Sequence, residues 1–173
     1  TDVADINLSD VAGAGTISIQ ALRTSADISP TDLTTLIQIA RGGLILNGAV
    51  APVISAPLRF GTGTGALLTE AIVYTREGQT GVASLTGGLS ARDFTKTGPG
   101  LLEIGGANNT LDSNAARISV VSVQDGTLRF ADSNAVFQMG NGFRSTDVGT
   151  RLGRFLLNVN DSGVFDLNGL TLN

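Results

Sequence analysis

Apolar and polar positions alternate along this chain in short bursts, and glycines separate the bursts. Gly100-Leu101-Leu102-Glu103-Ile104 and Gly126-Thr127-Leu128-Arg129-Phe130 share one frame, a glycine followed by apolar residues two and four positions on. Side chains of a strand alternate between its faces, so Leu102 and Ile104 point one way, as do Leu128 and Phe130. The frame recurs in Gly42-Gly43-Leu44-Ile45-Leu46, Gly81-Val82-Ala83-Ser84-Leu85 and Gly163-Val164-Phe165-Asp166-Leu167, with a weaker copy in Gly65-Ala66-Leu67-Leu68-Thr69. If the last interval is counted as two units, these glycines recur every 20 residues or so on average, about the period of solenoids and arrays.

The other apolar runs are equally short. Ile6-Asn7-Leu8 and residues 16–22 alternate on either side of the breaker Ala12-Gly13-Ala14-Gly15. Further runs occupy 44–46, 53–54, 58–60, 67–68, 71–74, 82–85, 136–138, 155–159, 164–167 and 170–172. Such runs are too short for free-standing helices and suit strands of a stacked coil. Pro52 and Pro57 then belong in corners, because proline within a paired strand loses a ladder bond. Residues 105–117 read as a polar loop with Gly-Gly and Asn-Asn turn chemistry, and Gly140-Asn141-Gly142 as a break.

Residues 30–41 carry two signals. Ser29-Pro30-Thr31-Asp32 resembles a helix start, Leu33, Leu36, Ile37 and Ala40 fall at helical spacing, and Gly42 would close the helix. Yet Leu33, Thr35, Ile37 and Ile39 alternate, and the stretch is rich in β-branched residues. The rungs on both sides favour strand.

The stretch Thr95-Lys96-Thr97-Gly98-Pro99-Gly100-Leu101-Leu102-Glu103-Ile104-Gly105-Gly106-Ala107-Asn108 resembles the passenger-associated repeat of bacterial autotransporters, whose usual run is L-T-K-x-G-x-G-T-L-x-L-x-G-x-N. The family's next strand and its x-x-G-T-L run are similar to Val120-Val121-Ser122-Val123-Gln124-Asp125-Gly126-Thr127-Leu128. Ser162-Gly163-Val164-Phe165-Asp166-Leu167-Asn168-Gly169 is similar to its s-G-x-x-D-L-N-G run, and Ala21-Leu22-Arg23 and Gly42-Gly43-Leu44-Ile45 to weaker rungs. The chain departs from the pattern at Leu101, where threonine is usual, and at Asn108-Asn109-Thr110-Leu111-Asp112, where the family has N-T-Y-T-G. The resemblance implies a right-handed parallel β-helix in an exported surface protein, with structural or adhesive work and no chemistry.

Composition narrows the chemistry. Of 173 residues 23 are glycine, well above the usual share of about 7%, and only 15% are charged. An apolar share of 42% with so few charges argues for a packed core rather than disorder. The net charge of −4 and the scatter of ten arginines and one lysine give nucleic acid or an anionic membrane nothing to bind. There is no histidine and no cysteine, which removes disulfides, thiolate metal sites, Cys nucleophiles and His-based triads together. No apolar run reaches the 18 residues or so that a membrane helix needs. Thr1-Asp2-Val3-Ala4-Asp5 is acidic where a signal peptide is basic, and alternation continues to the last residue, so the chain reads as one β-helix segment, 1–173, of a longer exported chain.

Each remaining candidate has a plainer reading. A glycosidase pair needs two carboxylates brought together, and Asp93, Glu103, Asp112, Asp125, Asp132, Asp147, Asp161 and Asp166 are scattered, with no D-x-D or D-D focus. Neither calcium-loop pattern is present, and Gly105-Gly106-Ala107-Asn108 lacks a following aspartate. Gly61-Thr62-Gly63-Thr64-Gly65 has no Gly-Lys-Ser/Thr and reads as a corner, not a phosphate cradle. Asn47-Gly48, Asn141-Gly142 and Asn168-Gly169 mark turns. Lys96, the one lysine, is a conceivable isopeptide partner but reads as a residue of a solvated strand face.

The expectation is therefore an all-β, single-stranded right-handed parallel β-helix of roughly eight coils, about 20 residues each. No catalytic, cofactor or metal site is assigned, and the chain reads as a non-enzymatic rod of a bacterial surface or extracellular fibre. Its expected partners are further coils or end-to-end copies of itself, and surface glycans or ligands of a host or neighbouring cell. A polysaccharide-binding or -degrading enzyme on the same fold is the alternative.

Overall fold

The computed structural model describes residues 15–30, 35–111, 119–139 and 155–170, which form an all-β chain of parallel strands. The strands are β1 (Thr16–Thr24), β2 (Leu36–Leu46), β3 (Val53–Ile54), β4 (Leu58–Phe60), β5 (Ala71–Thr75), β6 (Ala83–Leu85), β7 (Leu89–Ala91) and β8 (Phe94–Thr97). They continue as β9 (Leu101–Ile104), β10 (Thr110–Leu111), β11 (Ser119–Val123), β12 (Gly126–Phe130), β13 (Gln138–Met139), β14 (Phe155–Val159) and β15 (Gly163–Asp166). Helix is limited to one 3-10 turn at Gly65–Leu67 among the described residues.

From β4 onward every third strand joins the same ladder. The 5-stranded sheet runs β15-β12-β9-β6-β3, and the curled 10-stranded sheet runs β13-β10-β7-β4-β2-β5-β8-β11-β14 with β1 on β2. The long strand β2 divides that second sheet. Its first half pairs with β4 and its second half with β5, so two ladders diverge from one strand. The bridge between Ile28 and Ile54 extends the smaller sheet by one level.

Alternation explains why the stack holds. In the smaller sheet Ala83, Leu102, Leu128 and Phe165 stand in one register column, and Leu85, Ile104 and Phe130 in the next. All of these except the terminal Phe165 are buried. In the larger sheet Leu44 lies over Val73 and Val73 over Lys96, while Ala71, Phe94 and Val121 form a second inward column. Phe137 sits inside, its ring centroid 5.1 Å from Phe94 and 5.4 Å from Phe130. Each fully buried Leu, Ile or Phe contributes about 1.5–3 kcal/mol.

The six-glycine frame is one ladder plus two strays. Gly81, Gly100, Gly126 and Gly163 all introduce strands of the smaller sheet, but the Gly42 unit belongs to the larger one. The Gly65 unit, expected as a strand, is the 3-10 turn, with Leu67 exposed. Gly126 pairs directly with Gly163, so the interval counted as two units is a single step. Ladder partners are 20 residues apart at Ser90 and Thr110 but 26 apart at Glu103 and Arg129. The described residues accordingly stack six levels deep (Ile28, β3, β6, β9, β12 and β15 in the smaller sheet), against an expectation of roughly eight coils of uniform length. Corners absorb extra residues without disturbing the ladder, so a fixed period is not enforced.

Of the ambiguous segment, residues 36–41 lie in β2, and 31–34 fall outside the described residues. The alternating reading prevails there because Ile37 and Ile39 gain ladder partners Leu58 and Phe60, which a helix would forgo. Pro52 and Pro57 precede β3 and β4 without entering them. The polar loop expected over 105–117 contains strand β10, with Leu111 buried. The expected strand at 6–8 and the break at 140–142 lie outside the described residues.

Candidate functional site

The chain places its least expected chemistry at the corner between β8 and β9. Lys96 alternates inward in β8, between Val73 and Val123, and is fully buried. Its Nζ donates to the carbonyl oxygens of Gly98 at 2.6 Å, Asp125 at 2.9 Å and Thr97 at 3.0 Å. The ammonium thus ties the corner after β8 to the equivalent corner after β11. Burial lowers its pKa from 10.5 to about 8, and the charge of Asp125 offsets this only in part. The solvated-face expectation for Lys96 is wrong because the inward column of β8 runs Phe94, Lys96, leaving the side chain no route outward. Three backbone acceptors make the interior tolerable for it.

Gly126, opposite that corner, has φ +67, and a Cβ there would come within 2.4 Å of the Gly100 carbonyl oxygen and 2.5 Å of that of Gly98. Only glycine lets the two corners approach this closely. Gly98 serves a neighbouring need, since a Cβ on it would meet the Tyr74 ring at 2.6 Å.

Asn109 is a second buried polar anchor that the sequence reading passed over as turn chemistry. It is fully buried and spans three levels. Its Oδ1 accepts from Leu89 N at 3.2 Å, and its Nδ2 donates to Ala135 O at 2.9 Å, Gly106 O at 3.2 Å and Gly105 O at 3.4 Å. The adjacent Asn108 and Gly106 hold φ of 67 and 72, which is the turn geometry expected of them.

Among the described residues the carboxylates do not converge, and most of them serve the backbone. Asp93 accepts from Val120 N at 2.9 Å, Asp27 from Val53 N at 2.7 Å, Asp125 from Gly126 N at 2.8 Å, Asp132 from Asn134 N at 2.7 Å and Asp166 from Asn168 N at 2.8 Å. Glu70 accepts from Thr95 Oγ1 at 2.5 Å, and Glu103 pairs with Arg129 Nη2 at 2.7 Å on an outward row of the smaller sheet. Asp112 and Asp147 lie outside the described residues. No group of three or more acidic side chains suited to a metal ion occurs among the described residues. No helix among them is long and apolar enough to cross a membrane.

An open groove lies where β11 meets β14, lined by Ser122, Gln124, Leu157, Asn158, Val159 and Asn160. Ser122 stands beside Asn158 in register, and Asn160 N donates to Val123 O at 2.9 Å, which carries the ladder on to the pair Gln124 and Asn160. The sequence signal was available, as polar residues at alternate positions of both strands, but alternation by itself says only that they face solvent.

No family model, curated protein or solved structure matches this chain.

Proposed function

We propose that this chain is a segment of a right-handed parallel β-helix and serves as a non-catalytic structural module of an exported bacterial surface or fibre protein. The observation that carries this reading is the uninterrupted stack of buried parallel ladders, with most of the described acidic groups spent on the backbone or on ion pairs. The resemblance of residues 95–108 to the passenger-associated repeat supports the export and surface assignment. Six levels at about 4.8 Å each span only ~29 Å, so a long rod requires further levels from the parent chain or from another copy.

The terminal ladder offers the means. Leu157, Phe165 and Leu170 occupy inner positions against the core yet remain only partly covered, and Val159 is 44% exposed. A strand edge of this kind templates pairing with another strand. Sedimentation velocity over a concentration series tests the reading: self-association is expected for the wild type and its loss in the double variant Phe165→Asp/Leu167→Asp, whose circular dichroism stays strand-dominated. A monodisperse wild-type monomer at high concentration overturns end-to-end assembly, and a helix content above about a fifth overturns the β-helix itself.

A further inference from the structure

We propose that the outer face of β11 and β14 binds a neutral carbohydrate, with Ser122, Gln124, Asn158 and Asn160 as the hydrogen-bonding array. This deepens the adhesive side of the surface-module reading and rests on it. The two pairs, Ser122 with Asn158 and Gln124 with Asn160, form a rectangle about 4.8 Å across the strands and ~7 Å along them. Gln124, Asn158 and Asn160 are exposed, and their amides hydrogen-bond to nothing among the described residues. A primary amide presents an acceptor oxygen beside two N–H donors. Neighbouring hydroxyls of a sugar, each donor and acceptor, match that arrangement two bonds at a time.

The surroundings supply the rest. On the same outward face Leu156, 55% exposed and two positions before Asn158, gives an apolar surface for the C–H face of a sugar ring. Gln124 N donates to Lys96 O at 2.9 Å, which sets Gln124 beside Thr97, and Thr97 in turn is the register partner of Tyr74. The Tyr74 ring, 36% exposed and lying against Gly98, is therefore two strands or about 10 Å from Gln124. That distance suits a second ring of an oligosaccharide stacking on the aromatic face. Among the described residues no cation lines the groove, and Asp125 and Asp161 follow Gln124 and Asn160 directly in the chain. An anionic polysaccharide or nucleic acid is repelled there, so charge selects the neutral class.

The test is affinity electrophoresis of the full chain in native gels containing amylose, laminarin or xyloglucan, with polygalacturonate as the acidic counterpart. Retardation by at least one neutral polysaccharide is expected, with an affinity about tenfold weaker in Gln124→Ala/Asn160→Ala, the loss of a few hydrogen bonds. Arg129→Ala, on the other sheet, should bind as the wild type does. Absence of retardation in all three neutral gels, wild-type affinity in the double variant, or retardation by polygalacturonate alone overturns the proposal. Strand-dominated circular dichroism and self-association are scored on the same samples, so failure of the sugar site is distinguishable from failure of the module reading.

Discussion

Replacing Lys96 by methionine removes the ammonium while keeping the length of the side chain, and its consequence can be worked from the geometry. Three hydrogen bonds from a charged donor are lost, at 2.6, 2.9 and 3.0 Å. Their loss leaves three carbonyl oxygens without this donor, at about 1–3 kcal/mol each. The fall in pKa from 10.5 to about 8 means that the interior disfavours the ammonium by ~3 kcal/mol, a cost the variant escapes. Lys96→Met is therefore expected to be less stable by about 3–9 kcal/mol above pH 10.5, where the side chain is neutral in both states, and by ~3 kcal/mol less than that near pH 7. The pH dependence carries a second, independent test. The folded-state pKa lies below the unfolded one, so between pH 8 and 10.5 the unfolded chain binds more protons and stability rises with pH. The contribution is complete above pH 10.5 and lost below pH 8. Methionine does not titrate, so the gap between wild type and variant should widen by up to ~3 kcal/mol across this window, while changes common to both cancel. Urea denaturation followed by far-ultraviolet circular dichroism at several pH values measures both quantities. A gap below about 1 kcal/mol at the alkaline end of the series refutes the corner latch. A gap that narrows with rising pH refutes the dominance of burial over the carbonyl bonds.

Two further substitutions probe the neighbouring corners by the same denaturation assay. Asn109→Leu strands the buried Leu89 N–H and three carbonyl acceptors, so a loss of about 2–4 kcal/mol is expected, and an effect below ~1 kcal/mol counts against the three-level anchor. Gly126→Ala forces a Cβ against two carbonyl oxygens at positive φ, with an expected loss of about 2–5 kcal/mol, whereas a neutral result would mean that the corners lie further apart than described.

Strand character and facing were legible from the chain because they are local. Leu102, Ile104, Leu128 and Phe130 were expected to share a side, and all four are fully buried in two register columns. The period was not legible, because ladder register is fixed between strands while corner length is free. Counting glycines merged the Gly42 strand of one sheet with the Gly81, Gly100 and Gly126 strands of the other. It also enrolled Gly65, whose apolar neighbours lead into a 3-10 turn. A common frame of glycine and two leucines is thus evidence for a strand, not for the ladder to which it belongs.

Buried polar residues were harder for a different reason. Lys96 and Asn109 are each types that most often face water, and nothing within a few residues of either distinguishes an exposed corner from a filled one. What decides is the neighbouring level: Asp125 O for Lys96 and Ala135 O for Asn109, 29 and 26 residues further along the chain. In a stack of parallel ladders each corner leaves carbonyls facing along the axis, and a donor rising from one level can satisfy those of the next. Leucine at either position would fit the alternating pattern as well, but it would leave these acceptors without a partner. Buried Lys and Asn at such corners therefore belong to the means by which the levels are held in register, whereas the exposed amides of Gln124, Asn158 and Asn160 satisfy nothing among the described residues, which is why the proposed ligand site is placed on them.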